Sequence, residues 1–334
     1  MALKSSELYK RHPFNEPKAK IVPAKNQRSV KVMGNHAKFE GVSEDLQNIL
    51  DADMDQVWAR RRARDAFKDI QLSIDHILFK TPTDGLKMTE ILSQSYDVNS
   101  RGLEIFSKSW LPESSSIKAV ICICHGIARK LANSGYGVFA MDYPGFGLSQ
   151  GLHGFITNFD RVVDDVVEHY SKVKGCRSNQ ICMVGNAENP KFNKLPSFLF
   201  GQSMGGAVAL KVHLKQPKSW SGAVLVAPMC KTKYNILGYK HKPRLATAVE
   251  LLRTTKEIEQ SLEKVSLPLL ILHGKEDKVT DPSVSKALYE KASSQDKKLN
   301  LYDDAAHALL EGEPDEMVLR VFGDIISWLD AHCG

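Results

Sequence analysis

The chain has 334 residues, of which 43% are hydrophobic and 25% charged, and its net charge is +6 at pH 7. This length is enough for one large globular domain with a buried core, and the longest apolar runs are far too short to cross a bilayer. The N-terminal residues contain no apolar stretch of the kind that directs secretion, so no secretory signal is expected.

The basic charge is concentrated in a leader, residues 1–42, which we predict to be disordered. Residues 1–39 hold nine Lys or Arg and two Glu, a local charge of +7, so the rest of the chain carries about −1. An enzyme acting on nucleic acid would carry its basic patch on the folded body, so no nucleic-acid partner is expected. Three prolines (Pro13, Pro17 and Pro23) and the high charge favour a solvated tail in a cytoplasmic protein, with a plastid transit peptide as the alternative.

The six cysteines favour a reducing compartment and no bound metal. No pair has the Cys-x-x-Cys spacing of a zinc site. Cys122 and Cys124 lie on one face of an apolar segment, where they are expected to pack as small hydrophobic residues.

Ser43 is predicted to begin the first helix of the folded body. The acidic residues Glu44 and Asp45 follow it, and a basic run, Arg60 to Arg64, comes late, which suits the dipole of a helix. Apolar residues recur between them at helical spacing: Leu46, Ile49, Leu50, Val57 and Trp58. A hairpin is expected next, with strands near Ser73–Phe79 and Leu103–Leu111.

From residue 119 onward, short apolar strands alternate with amphipathic helices. The predicted strands are Ala119–Cys124, Gly137–Met141, Ser197–Phe200, Ala223–Ala227, Leu269–Leu272 and Lys298–Tyr302. The predicted helices are Phe159–Tyr170, Met204–Lys215, Arg244–Val265, Pro282–Ala292 and Asp315–Leu329. This alternation predicts one α/β domain over residues 43–334, with a mostly parallel sheet and helices on both faces.

The strongest local signal is Gly201-Gln-Ser203-Met-Gly205, which lies between an apolar strand and an Ala-rich helix. In that context a G-x-S-x-G sequence acts as a nucleophile elbow, a strained turn that places a serine hydroxyl at the N-terminus of a helix. Glycines flank the serine because a Cβ there would clash with nearby backbone. Ser203 is therefore the candidate nucleophile, and an ordinary glycine-rich turn is the alternative.

A serine hydroxyl needs a base to take its proton, and in this architecture the acid and then the histidine follow the nucleophile along the chain. His307 is the candidate base because it follows the last strand and precedes the last helix; a solvated loop histidine is the alternative. Three carboxylates follow or lie near the strand ending at Leu272 and could orient it: Glu276, Asp277 and Asp281.

These segments resemble the plant branch of the monoglyceride lipase and lysophospholipase family, which includes caffeoylshikimate esterases. The matching segments include Cys124-His-Gly126, Met141-Asp-Tyr-Pro-Gly-Phe-Gly-Leu-Ser149, Phe200-Gly-Gln-Ser-Met-Gly-Gly206, Leu272-His-Gly-Lys-Glu-Asp277 and His307-Ala-Leu-Leu-Glu-Gly-Glu. The resemblance covers nearly everything from residue 40 to the C-terminus and implies an α/β-hydrolase fold.

The resemblance also implies the site and the reaction. It makes Ser203 the nucleophile, Asp277 the acid and His307 the base, with the backbone N–H groups of Met204 and Ile127 forming the oxyanion hole. The implied reaction is hydrolysis of a small-molecule carboxylic ester through an acyl-serine intermediate, without a cofactor. The candidate substrates are monoacylglycerol, lysophospholipid and hydroxycinnamoyl esters, and peripheral contact with a membrane is a further expectation.

The chain departs from the family pattern at several places. Only ten residues separate Gly126 from Gly137, at or below the roughly 10–12 that a parallel crossover with a helix needs. The Ile127 donor is therefore expected to be displaced. The helical cap that follows Ala227-Pro-Met-Cys230 in the family is expected to be missing or much reduced, and residues 175–187 and 91–95 read as insertions.

Two functional hypotheses follow from the retained triad and the shortened parts. The first is a working carboxylesterase, which the triad favours. The second is a catalytically impaired α/β-hydrolase scaffold, which the shortened oxyanion segment and the reduced cap favour.

Overall fold

A computed structural model describes residues 43–67, 90–112, 116–123, 127–175, 192–230 and 244–333. Within these ranges the centre is an eight-stranded sheet in the order β1-β2-β4-β3-β5-β6-β7-β8. The strands are β1 Glu90–Val98, β2 Glu104–Pro112, β3 Val120–Ile123, β4 Gly137–Met141, β5 Ser197–Gln202, β6 Gly222–Val226, β7 Leu269–Gly274 and β8 Lys297–Tyr302. Strands β3 to β8 pair in parallel, and the β1–β2 hairpin adds to β4 in antiparallel fashion.

Helices cover both faces of the sheet. They are α1 Glu44–Leu50, α2 Val57–Ala66, α3 Ala128–Asn133, α4 Phe159–Val173, α5 Met204–Lys215, α6 Leu245–Glu259, α7 Pro282–Lys291 and α8 Asp315–Ala331. Neighbouring residues of β3 enter opposite cores, Val120 with α4 and α5 on one face and Ile121 with α3 and α8 on the other. All four residues of β3 are buried, because a strand covered on both faces has no polar side. The predicted α/β-hydrolase architecture is confirmed.

The N-terminal segment differs from its prediction. The single helix expected from Ser43 is two helices, α1 and α2, separated by residues 51–56. The break falls in a run of aspartates, where the Asp53 carboxylate accepts a hydrogen bond from the backbone N–H of Asp55 at 3.0 Å. Such local bonds compete with the helical hydrogen-bond ladder, which explains the interruption.

Strand β1 was not predicted. The sequence pattern predicts the partner of β2 near residues 73–79, which lie outside the described residues. Residues 91–95 read as an insertion relative to the family. The structure instead pairs Glu90–Val98 with β2 along its whole length, so that assignment of the hairpin is wrong.

The short link between β3 and β4 contains a complete crossover. The six residues of α3 suffice for β3 and β4 to pair in parallel. Leu131 and Ala132 of this helix are fully buried, so even a short helix covers the sheet here.

On the other side of the sheet, residues 227–244 connect β6 to α6, and residues 231–243 lie outside the described part of the chain. The reduced cap therefore stays a prediction. Among the described residues, no helix is long and apolar enough to cross a membrane.

The N-terminal helices are attached to the body by Arg60, which is 7% exposed. Its guanidinium donates to the carbonyl oxygens of Met54, Gly147, Ser149 and Gly151 at 2.6 to 3.1 Å. The loop after β4 is thus held to α2 through several backbone oxygens at once.

Candidate active site

Ser203 lies in the sharp turn between β5 and α5. It has a φ of 52°, in the left-handed region that non-glycine residues rarely adopt. The turn is held by its backbone, since the N–H of Ser203 donates to Val226 at 3.0 Å and its carbonyl accepts from Gly206 and Met229 at 2.9 Å. Such strain persists only where surrounding contacts fix the conformation, as at a nucleophile elbow.

Gly201 makes this turn possible. A Cβ at Gly201 would lie 2.3 Å from the backbone oxygen of Gly205 and 2.5 Å from its carbonyl carbon. Backbone cannot approach a side chain so closely, so only glycine allows β5 and α5 to meet at this angle.

The structure brings Ser203, His307 and Asp277 together from the ends of three strands. His307 Nε2 lies 3.0 Å from Ser203 Oγ, and His307 Nδ1 lies 2.7 Å from Asp277 Oδ2. Both distances are within hydrogen-bond reach, the arrangement that activates a serine nucleophile. The His307 side chain is 21% exposed and the Asp277 side chain fully buried, so solvent reaches the base and not the acid.

Five donors surround the Asp277 carboxylate. Its Oδ1 accepts from the backbone N–H groups of Val279 and Thr280, at 2.7 and 3.0 Å. Its Oδ2 accepts from the Thr280 hydroxyl at 2.7 Å, from His307, and from His273 Nε2 at 3.0 Å. Burial alone would raise the pKa of Asp277, but these hydrogen bonds and the charge of His307 hold it far below its usual range. The acid therefore stays ionised at neutral pH.

The loops that carry the acid and the base approach each other closely at Gly274. A Cβ there would lie 2.3 Å from the carbonyl oxygens of both Ala305 and Ala306. The backbone N–H of Glu276 donates to the Ala305 carbonyl at 3.0 Å. Two glutamates support the second loop, since Glu313 accepts from Ala306 N–H at 2.6 Å and Glu311 from Gln202 at 2.8 Å.

The geometry separates the three candidate acids. Glu276 is exposed, and Asp281 caps α7 by accepting from the backbone N–H of Ser283 at 2.9 Å. Asp277 is the carboxylate that contacts His307.

The two oxyanion candidates occupy helix starts. Met204 is the first residue of α5, where backbone N–H groups have no partner within the helix. Ile127 immediately precedes α3, with its side chain 1% exposed. The residues before it, 124–126, lie outside the described part of the chain, so the position of its N–H relative to Ser203 stays a prediction.

Comparison with known proteins places this site in a family. Residues 115–241 and 235–315 match the family described as Hydrolase_4, serine aminopeptidase, S33. The chain belongs to this family. It is 30% identical to caffeoylshikimate esterase of Arabidopsis thaliana, over 71% of this chain and 85% of that protein. It is 27% identical to monoglyceride lipase of Homo sapiens, over 70% of this chain and 88% of the relative.

Two solved structures have the same fold. A soluble variant of monoglyceride lipase from Saccharomyces cerevisiae, in complex with a substrate analog, superposes with a TM-score of 0.61 at 18% identity, covering 76% of this chain and 99% of the other. Est1E from Butyrivibrio proteoclasticus with bound ferulic acid gives 0.54 at 16%, covering 71% and 99%. The predictions of the family and of a serine ester hydrolase are confirmed. The impaired-scaffold alternative is not favoured.

Sequence reasoning missed two side chains that contact Asp277, those of Thr280 and His273. His273 occupies the buried run of β7, where a lone histidine is expected to be a core residue. The signal in the sequence is its position four residues before Asp277. That spacing predicts a contact only once it is known that a turn folds Asp277 back onto His273.

Proposed function

We propose that this chain hydrolyses carboxylic esters at Ser203, with His307 as the general base and Asp277 as the acid that orients it. The observation that carries the proposal is the pair of contacts at His307, 3.0 Å to Ser203 Oγ and 2.7 Å to Asp277 Oδ2. Because Asp277 is an ionised acceptor, it fixes the His307 proton on Nδ1 and leaves Nε2 free to accept the serine proton.

The reaction has two stages. His307 Nε2 takes the hydroxyl proton as Ser203 Oγ attacks the ester carbonyl carbon, giving a tetrahedral oxyanion. The oxyanion collapses to an acyl-serine, and the alcohol leaves with the proton from His307. Water then attacks the acyl carbon, His307 takes one of its protons, and collapse returns the proton to Ser203 and releases the carboxylic acid.

Stabilisation of the oxyanion falls to backbone N–H groups. Met204 supports this role because its N–H stands at the N-terminus of α5, whose dipole favours negative charge. Ile127 is the second proposed donor. Loss of one such donor typically lowers kcat by about 10²–10³-fold. The position of the Ile127 N–H relative to the oxyanion therefore has a large effect on kcat.

The names of the relatives support two substrate classes, acylglycerols and hydroxycinnamoyl esters. We propose that the chain accepts esters from these classes but favours small activated esters over long acyl chains. The short connection between β6 and α6 supports this preference, because little chain is available there to cover a long acyl group. An open site also admits water, which weakens each electrostatic contact with the transition state.

Labelling with a fluorophosphonate probe tests the nucleophile without knowledge of the substrate. The parent protein should be labelled and Ser203→Ala should not, whereas Ser219→Ala, a change at an exposed serine outside the elbow, should be labelled like the parent. Labelling of Ser203→Ala at the parental level would contradict the assignment.

A substrate panel tests the specificity. We expect kcat/KM on p-nitrophenyl acetate to exceed that on monooleoylglycerol, lysophosphatidylcholine and a caffeoyl ester. Fast hydrolysis of monooleoylglycerol would contradict the proposed preference while leaving the nucleophile assignment intact.

A further inference from the structure

A buried hydrogen-bonded pair lies behind the acid of the site. His273, near the end of β7, is 0% exposed, and Ser285 of α7 is also 0% exposed. His273 Nε2 lies 3.0 Å from Asp277 Oδ2, and His273 Nδ1 lies 2.7 Å from Ser285 Oγ. The pair therefore extends the chain of contacts beyond Asp277, on the side away from His307.

The two contacts define the protonation of His273. The Asp277 carboxylate is ionised and can only accept, so the ring proton lies on Nε2. Nδ1 then accepts a hydrogen bond from the Ser285 hydroxyl, and this arrangement satisfies both ring nitrogens without burying another charge. Asp277 thus sets the tautomer in which His273 donates to the acid, and Ser285 holds the other ring nitrogen in place.

A buried histidine at this position would cost free energy if it served only to pack the core, because its polar ring nitrogens must be desolvated. The four preceding residues of β7, Leu269 to Leu272, are all apolar and fully buried, and a leucine at 273 would continue that run without a polar group to satisfy. The ring is instead held at both nitrogens by named partners. Its Nε2–H donates to the same oxygen, Oδ2, that accepts the hydrogen bond from His307 Nδ1.

We infer that His273, held by Ser285, is a positioning residue that fixes the Asp277 carboxylate so that Oδ2 faces His307. The inference rests on the proposed roles of Ser203, Asp277 and His307. Two backbone N–H groups hold Oδ1, and the His273 ring and the Thr280 hydroxyl hold Oδ2. Without His273 the hold on Oδ2 depends on Thr280, whose hydroxyl also lies 3.2 Å from the Ala227 carbonyl.

Replacing the ring tests this role. His273→Leu should lower kcat on p-nitrophenyl acetate by about 10–100-fold, the range found when outer groups that orient metal-bound histidines are removed. KM should change less than about twofold, because the change acts on alignment in the transition state and not on substrate binding. His273→Gln should restore kcat to within about fivefold of the parent, since an amide N–H can donate to Asp277 as the ring does.

His213→Leu is the matched control. His213 is also a 0% exposed histidine, on α5, and its Nε2 accepts from the backbone N–H of Ser266 at 3.1 Å. It lies about 15 Å along the helix from Ser203 at 1.5 Å per residue. Its replacement should leave kcat unchanged in the folded protein, which separates a positioning effect from a general loss of core packing.

The outcomes are distinct. A kcat for His273→Leu within twofold of the parent, a loss that appears in KM, or equal losses in the Leu and Gln variants would overturn the inference. If His273→Leu does not fold, Ser285→Ala is the deciding variant. It should lower kcat by about tenfold, the low end of the same range, because the ring loses its partner at Nδ1. An unchanged kcat would refute the inference. Parental hydrolysis by Ser203→Ala would remove the proposed function, and the inference with it.

Discussion

Replacement of Asp277 by Asn is the most informative single change, because the hydrogen-bond partners of both carboxylate oxygens are defined in the structure. The Oδ1 position faces two backbone N–H groups, and the Oδ2 position faces His273, Thr280 and His307. The amide of Asn has one accepting oxygen and one NH2 group that only donates. Its oxygen is therefore expected at the Oδ1 position, because both partners there are backbone N–H donors. The amide nitrogen then faces His307.

His307 can remain hydrogen-bonded only by changing tautomer. Its proton would move to Nε2, the nitrogen that lies 3.0 Å from Ser203 Oγ, and the ring could no longer accept the serine proton. The same change of tautomer costs about 10⁴-fold in kcat in the serine proteases, equivalent to about 5.5 kcal/mol of activation free energy. The free energy of unfolding should fall by only about 1–3 kcal/mol, since the tautomers adjust to keep partners.

The assay is hydrolysis of p-nitrophenyl acetate by purified parent and Asp277→Asn proteins, with urea unfolding measured in parallel. Glu276→Gln and Asp281→Asn are the controls, because Glu276 is exposed and Asn caps a helix as Asp does. Both should keep kcat within about twofold of the parent. A folded Asp277→Asn protein that retains a tenth of the parental kcat would refute the reasoning, as would a larger loss in either control.

Three further predictions concern the turn at Ser203, the attachment of α2 and the pH dependence of stability. Gly201→Ala should prevent folding or abolish activity, because its Cβ would lie 2.3 Å from the Gly205 carbonyl oxygen; a soluble, active variant would contradict this. Arg60→Met should lower the free energy of unfolding by about 3 kcal/mol, because it removes hydrogen bonds to three backbone carbonyls that are buried or part-buried. Arg60→Lys should recover only part of this loss, because an ammonium lacks the planar fork of a guanidinium; urea unfolding measures both. Despite burial, the pKa of Asp277 lies far below its ordinary value of about 3.9. The ionised carboxylate therefore stabilises the folded protein fully above about pH 4. As the pH falls below that value, this stabilisation is lost by about 1.4 kcal/mol per pH unit. Between pH 5 and pH 2.5 the parent should therefore lose more stability than Asp277→Asn, and an equal loss would show that this carboxylate is not specially stabilised.

The parts of the fold that the sequence predicted well are those whose burial appears in the residue pattern. Strand Gly137–Met141 and helix Met204–Lys215 have the predicted bounds, because an unbroken apolar run and an Ala-rich helix after an elbow leave few alternatives. Helix α6 is shorter than predicted, since a turn at Gln260 ends it and a separate 3₁₀ turn, Leu262–Lys264, follows.

Strand β1 could not be predicted in the same way. Its apolar residues Leu92, Tyr96 and Val98 alternate with polar ones, but all three are more than 40% exposed. Their pattern therefore does not mark a core-facing side. Its position is set by pairing with β2 across the turn at residues 99–103, and not by burial of an apolar face.

The G-x-S-x-G context predicts Ser203 as the nucleophile, and the place of His307 after the last strand predicts it as the base. The structure brings His307 into contact with Ser203 and with Asp277. The choice among three carboxylates required the resemblance to known esterases, because the residues alone left Glu276 and Asp281 open. The roles of the three residues and of the Met204 and Ile127 donors remain predictions.

Ser203 and His307 follow strands that differ in local stability. Ser203 follows β5, which has a paired strand on either side, whereas His307 follows β8, the last strand in the order of the sheet. Outer strands open locally at a lower free energy than central ones. Loss of the base from its working position can therefore precede global unfolding, so that catalytic inactivation and the melting of the sheet are separate events on heating. Amide exchange should be faster in β8 than in β5, and activity should fall before the signal of tertiary structure does.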